Sequence, residues 1–153
     1  MIDIYSKAEY PSCELSNFAE HHFIYDSVRC NSIEGFLQSL KYKSIKKQAE
    51  VCLKIGSDAK EAGAKKRLWK VTKRVYWKGK CIGLFSDELQ ELIDGAYLAC
   101  FEQCEKFRNA LAATENEKLI HRIGKTDSRK TILTEYNFIR RLNILRIKEY
   151  GEE

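Results

Sequence analysis

Proline occurs once in this chain of 153 residues and glycine only eight times. With no Ser- or Pro-rich stretch, no internal repeat and no low-complexity tract, nothing marks a domain boundary, and one domain over residues 1–153 is expected. No apolar run approaches the roughly 20 residues that a membrane span needs, and the N-terminus, with Asp3, has no apolar segment of the signal-peptide kind. A cytoplasmic protein with no membrane partner is expected. Gly-x-Gly-x2-Gly and Gly-x4-Gly-Lys loops are missing, which excludes the Rossmann and P-loop devices for holding nucleotide phosphates. Cys-x2-Cys pairs are missing as well. The six cysteines, Cys13, Cys30, Cys52, Cys81, Cys100 and Cys104, are scattered, and in a chain without a secretory signal they read as reduced thiols serving as small buried hydrophobes. Cys100 and Cys104 lie one helical turn apart, but His121 is far along the chain and no zinc set is completed. His21-His22 lacks a metalloprotease spacing and is expected as a loop pair near a pocket mouth. No metal and no cofactor is expected.

What is present supports one sizeable core, since a chain of this length buries about 70% of its extended surface. Strands are expected at Ile2 to Tyr5, in a hairpin about Asp26-Ser27, in a second over Val75 to Ile82 turning at Lys78-Gly79, and at Leu119 to Ile123. Helices fill most of the rest: Ser32 to about Lys43, Ile45 to Ile55 with Gly56 as its stop, one after Ser57 that carries Trp69, a long one from Ser86 to about Ala113, and a last one after Thr134. Strands and helices do not alternate, so the fold class is α+β, a compact, mainly helical domain with short strands and hairpins, and not a doubly wound sheet.

Two short polar stretches stand out, Leu15-Ser16-Asn17-Phe18 and Ser32 through Lys41. On a helix Glu34, Gln38 and Lys41 fall within about 60° of one another, beside an apolar stripe of Ile33, Phe36, Leu37 and Leu40. One face reads as core, the other as the wall of a polar pocket. A second reading needs no pocket: Asn31 with Glu34 three positions on is a capping box on an ordinary amphipathic helix.

Charge adds to this. Net charge is +5, and Lys60, Lys65, Lys66, Arg67, Lys70, Lys73, Arg74, Lys78 and Lys80 share a stretch with Trp69, Tyr76 and Trp77. Cations interleaved with exposed aromatics suit a nucleic-acid backbone and a splayed base; the alternative is a solvated helix face with its aromatics turned inward. In either case a positive rim favours a pyrophosphate-bearing substrate.

The order of the segments decides between the readings of the polar face. Ile4-Tyr5-Ser6, the Ser16-Asn17-Phe18 loop, Phe23 through Val28, and Ser32-x-Glu34-x3-Gln38-x2-Lys41 are followed by Trp69-x3-Lys73, by Tyr97 through Gln103, by Leu111 to Thr114 and by Lys118-Leu119-Ile120. In this order they resemble the NADAR family, also called YbiA-like, over nearly the whole chain. The chain departs from the family in two places. Where the family places an Asp, a Trp-Gly pair and a Gly-rich loop, it reads Lys125 through Thr134, with Asp127 standing for the acid and no Trp-Gly pair. It also carries extra material from Tyr76 to Ser86.

The resemblance implies an N-glycosidase-type hydrolase that cleaves between C1 of an ADP-ribose or ribose phosphate and a nitrogen. Family tasks include removal of ADP-ribose from guanine in DNA, which counters DNA-modifying toxins and sometimes serves a phage in the host cytoplasm, and hydrolysis of ribosylamino-pyrimidine intermediates of riboflavin synthesis. The basic strip favours ADP-ribosylated DNA as partner over a free ADP-ribose-type nucleotide; a non-catalytic ADP-ribose or NAD-binding module is the alternative. Breaking such a bond builds positive charge on the ribose, so a carboxylate below C1 is needed and an acid aids the leaving base. Glu34 suits the first role, and Asp127 is the candidate second carboxylate, either as proton donor or as the group that holds the ribose hydroxyls. Lys41 either holds charge or, if neutral, attacks the opened sugar. Asn17 and Gln38 would position hydroxyls or phosphate oxygens, Phe18 or Trp69 would stack on a base, and Lys73 is carried over as a substrate-binding cation.

Overall fold

The computed structural model describes residues 1–150, with side chains through Lys148. In chain order the elements are β1 (Ile2–Asp3), α1 (Ser12–Leu15), β2 (Phe23–Tyr25), β3 (Val28–Cys30), α2 (Ile33–Ser39), α3 (Ile45–Cys52), α4 (Gly56–Ala64), α5 (Leu68–Thr72), β4 (Arg74–Trp77), β5 (Lys80–Gly83), α6 (Asp87–Gln103), α7 (Glu105–Ala113), β6 (Leu119–Ile120) and α8 (Glu135–Tyr150). This is the α+β class, with strands in three separate pairs. β2–β3 and β4–β5 are antiparallel hairpins, while β1 and β6 pair in parallel, Ile2 opposite Leu119 and Asp3 opposite Ile120. Both hairpins turn where expected. Asp26 and Ser27 have φ of 50° and 65°, Lys78 and Gly79 of 49° and 86°, the double left-handed turn whose twist matches that of the flanking strands.

α2 is the centre of the molecule, packed against α3, α4 and α6. Its Ile33, Phe36, Leu37 and Leu40 are buried, as the apolar stripe requires, and join one hydrophobic cluster with Phe23, Tyr97, Leu111 and Phe138. Gly35 sits where α2 meets the end of α3: a Cβ there would lie 2.5 Å from the Lys54 carbonyl oxygen and 3.0 Å from that of Cys52. Only glycine permits so close an approach.

The cap of α2 differs from the sequence expectation. Ser32, not Asn31, is the cap: its Oγ accepts from the Gly35 N–H at 2.9 Å and donates to the Lys54 carbonyl at 2.9 Å. Asn31 instead laces α2 to the end of α3, with its backbone N–H on the Cys52 carbonyl and its amide on that of Leu53. Glu34 is thus one position too early for the reciprocal bond of a capping box. The capping-box reading is corrected, and its carboxylate is left to the other face.

Several boundaries also differ. The third expected helix is two, α4 and α5, because the chain leaves the helix at Lys65–Arg67. Gly56, with φ of +50°, opens α4 and does not merely stop α3. A kink at Cys104, with extended backbone, divides the long helix into α6 and α7. The Arg108 guanidinium holds that kink by donating to the Phe101 and Glu102 carbonyls at 2.8 and 2.7 Å, which satisfies acceptors the helix end leaves open. Arg141, buried in α8, bonds Gln90 and pairs with Asp94, tying α8 to α6. Cys30, Cys52, Cys100 and Cys104 are buried as free thiols; Cys81 is exposed. Among the described residues no helix is long and apolar enough to cross a membrane.

Candidate functional site

A cavity of about 350 Å³ opens between the Ser16–Phe18 loop, the polar face of α2, the end of α4, α5 and the segment from His121 to Leu133. Its volume lies in the range of small-molecule sites. α2 delivers Glu34, Gln38 and Lys41 to one wall, because i, i+4 and i+7 share a face that here lies beside the buried one. Gln38 Nε2 donates to Glu34 Oε1 at 2.8 Å. The Ser-Asn-Phe loop is built against the same helix. Ser16 Oγ accepts from the Phe18 N–H at 3.2 Å, and the Asn17 carbonyl accepts from the Glu34 N–H at 3.0 Å. Tyr97, buried in α6, donates its hydroxyl to Asn17 Oδ1 at 2.5 Å. With that oxygen engaged, the Asn17 side chain has its NH₂ to offer a ligand.

Burial pushes the Glu34 carboxyl above the usual carboxylate range, against the opposing pull of the Gln38 hydrogen bond and of Lys41, Lys60 and His121. Burial likewise pushes the Lys41 ammonium down to about 8; Glu34 works against that shift, while Lys70 and Lys125 add to it. Lys41 Nζ lies 5.2 Å from the centre of the Trp69 ring and Lys70 Nζ 5.7 Å from it, within cation–π range. Lys60, Lys66, Arg67 and Lys70 line one side of the cavity, Lys125 and Lys130 the other. Glu34 is the one carboxylate among the described lining residues. The arrangement is an anion-binding mouth over a single half-buried carboxylate, among the described lining residues, and an amine that titrates near 8.

Against known proteins, the chain matches the family described as Bacteriophage protein GP30.3 over residues 9–147. It belongs to that family. An uncharacterized 17.1 kDa protein in the Gp30-rIII intergenic region of Enterobacteria phage T4 is 35% identical over 146 residues, spanning 95% of this chain and 96% of its own length. In three dimensions the chain is similar to the NMR structure of E. coli YbiA, with a TM-score of 0.64, 20% identity, and coverage of 99% of this chain and 85% of YbiA. At that identity the likeness establishes the fold.

For a member of the GP30.3 family, the cavity places the sequence expectations as follows. Asn17, Phe18, Glu34, Gln38, Lys41 and Trp69 come together in its lining; Lys73 and Asp127 do not. Lys73 closes α5 in a left-handed conformation and its ammonium bonds the Lys70 carbonyl. Asp127 is held by Arg129, whose Nε and Nη2 donate to its two oxygens at 3.1 Å each, and this pairing draws its carboxyl below the ordinary range. Neither histidine of the His21-His22 pair reaches the cavity: His21 is buried on the Glu14 carbonyl, and His22 pairs with Glu20 at the surface. Trp69 and Trp77 are buried at 4% and 5% exposure, so the strip does not present exposed tryptophans. Trp77 donates to Asp26, Lys78 pairs with the same carboxylate, and Lys80 pairs with Glu88.

The sequence reading missed His121, Lys125 and Lys130 as lining residues and Tyr97 as the anchor of Asn17. His121 Nδ1 bonds the Ile4 carbonyl at 2.6 Å, and its ring sits edge-on to Phe138. These residues reach α2 through the β1–β6 pairing and α8, contacts that no local pattern announces.

Gly63 was missed too. A Cβ at this position would lie 1.6 Å from Gln38 Oε1 and 2.4 Å from its Cδ, so α4 passes directly over the amide. Gly63→Ala is therefore expected to displace the Gln38 side chain and break its bond to Glu34. Because the displaced atoms end a flexible side chain, the loss of stability should stay within about 1–3 kcal/mol. Without that bond, which draws the Glu34 carboxyl down, Glu34 should titrate still higher by NMR in Gly63→Ala, whereas an unchanged Glu34 titration would show that the bond survives.

Proposed function

We propose that the chain is an N-glycosidase-type hydrolase of the NADAR kind, which removes ADP-ribose from a modified nucleobase, with guanine in DNA as the favoured substrate. The observation that carries this reading is the placement of Glu34 and Lys41 together in the wall of a cavity rimmed by cations. The YbiA-like fold and the phage family support it. A dinucleotide such as ADP-ribose brings two phosphates, and Lys60, Lys66, Arg67, Lys70, Lys125 and Lys130 offer charge to hold them.

In the proposed reaction the bond from C1 to the base nitrogen breaks, its electron pair leaves with the base, and positive charge grows on the ribose. Ionised Glu34 stabilises that charge and takes a proton from the water that attacks C1. The leaving nitrogen takes a proton from Lys41, whose ammonium, titrating near 8, is a better donor than an ordinary lysine. With Asp127 outside the cavity lining, no second carboxylate among the described residues is set for this task. Lys41 in its neutral form supplies another route: Nζ bonds to C1 as the bond to the base breaks and passes a proton to the leaving nitrogen, the C1–O4 bond of the resulting glycosylamine then opens to an imine as O4 takes the second Nζ proton, and water adds to C1 and expels Nζ to release ADP-ribose.

The test is incubation of the protein with DNA carrying ADP-ribosylated guanine, beside DNA carrying ADP-ribosylated thymine. Free ADP-ribose from the guanine substrate is expected. Stoichiometric binding of ADP-ribose without turnover would assign the cavity to a binding module instead.

A further inference from the structure

α5 is a short helix on the rim of the cavity with two unlike sides. Trp69 turns into the core, while Leu68 and Val71 stand 69% and 79% exposed. Single exposed aliphatic side chains are ordinary. Here the two lie three apart, on one side of the helix, and both neighbour cations that line the cavity, Arg67 and Lys70. Across the mouth Ile123, also a lining residue, is 72% exposed. The surroundings are positive: from Ala62 to Ser86 the chain holds no Asp or Glu.

Resting on the proposed function, we infer that α5 is a wedge which enters the base stack of duplex nucleic acid, Leu68 and Val71 taking the place of the target nucleotide while it swings into the cavity. The need for it is geometric. A base bonded to C1 has to follow that atom toward half-buried Glu34, and a base held in a duplex cannot, so it has to be unstacked first. Aliphatic tips flanked by phosphate-binding cations are the means by which proteins separate base steps. Charge complementarity argues for this occupant: Lys66, Arg67 and Lys70 beside the tips match a phosphate backbone, and an apolar protein partner has no use for them. The choice of duplex over single strand follows from the aromatics. A single-strand platform displays rings for successive bases, and in this strip both tryptophans are buried. Ile123, on the opposite wall, gives the extruded base an apolar surface.

The experiment uses the full chain and DNA with ADP-ribosylated guanine, in duplex and single-stranded form, with 2-aminopurine beside the modified base. Leu68→Ala combined with Val71→Ala is expected to lower kcat/KM on the duplex by about tenfold or more, the loss of roughly 1.4 kcal/mol of paid unstacking. Single-strand turnover should change less than about twofold, since there is no stack to open. An abasic site opposite the modified base should restore the duplex rate. Independently of turnover, Glu34→Gln protein should brighten 2-aminopurine in the duplex, and the added Leu68→Ala and Val71→Ala changes should abolish that brightening. Turnover of duplex that ignores both substitutions would overturn the wedge and leave the hydrolase standing. Brightening that depends on them, with no ADP-ribose released by the wild type, would support the wedge and remove the hydrolase.

Discussion

Glu34→Gln is expected to lower turnover by about 10²–10⁴-fold while the protein stays folded. Glutamine keeps the shape of the side chain and can still bond Gln38, but it has no negative charge to set against a cationic ribose and cannot take a proton from water. Stability should hold because Ser32, not Glu34, closes the start of α2, so the substitution removes no cap. Binding of ADP-ribose, read by calorimetry, should persist, because the cations of the rim are untouched. Rates within about tenfold of wild type would remove Glu34 from the chemistry. A stability loss above about 1 kcal/mol with full activity would return it to a capping role.

Lys41→Ala is expected to be nearly as damaging, and the pH profile of the wild type separates its two roles. The Lys41 ammonium is pushed down to about 8, while Glu34 titrates above the ordinary carboxylate range. In both cases the rate should rise with pH as Glu34 ionises. If the ammonium donates the proton or holds charge, kcat/KM should then fall as pH rises through about 8, since the working form is lost. If the amine attacks the sugar, the rate should keep rising through that value, and borohydride added during turnover should leave an adduct on Lys41. A near-normal rate for Lys41→Ala would end both schemes. Lys41→Arg helps here, because it keeps the charge but cannot form the imine.

The parts of the site that lie close together in the chain were the legible ones. Glu34, Gln38 and Lys41 share a helix face by spacing alone, and the loop of Asn17 and Phe18 was visible as a short polar stretch before the hairpin. The cations of the strip were visible as a cluster, but not their division. Lys66, Arg67 and Lys70 line the cavity, whereas Lys78 and Lys80 pair with Asp26 and Glu88, because the β4–β5 hairpin carries the latter two away from α5. Asp127 stands out by its place in a segment order, and Arg129 two residues on supplies a partner that the order does not reveal.

Some features depended only on residue type and periodicity. The sequence by itself determined the apolar stripe of α2, the two hairpin turns, the α+β class and the polar face of one helix, each of which is set by neighbours within about seven residues. Tertiary structure decided the rest. The parallel pairing of Ile2 with Leu119 and the bond from His121 to the Ile4 carbonyl bring the far third of the chain against its beginning. That closure adds His121, Lys125 and Lys130 to the cavity lining that holds Glu34, where the charge of Lys125 adds to the burial that draws Lys41 down and His121 opposes the burial that pushes Glu34 up. Desolvation and charge act through space, so a carboxylate and an amine that are ordinary in the sequence acquire their chemistry from segments distant in the chain.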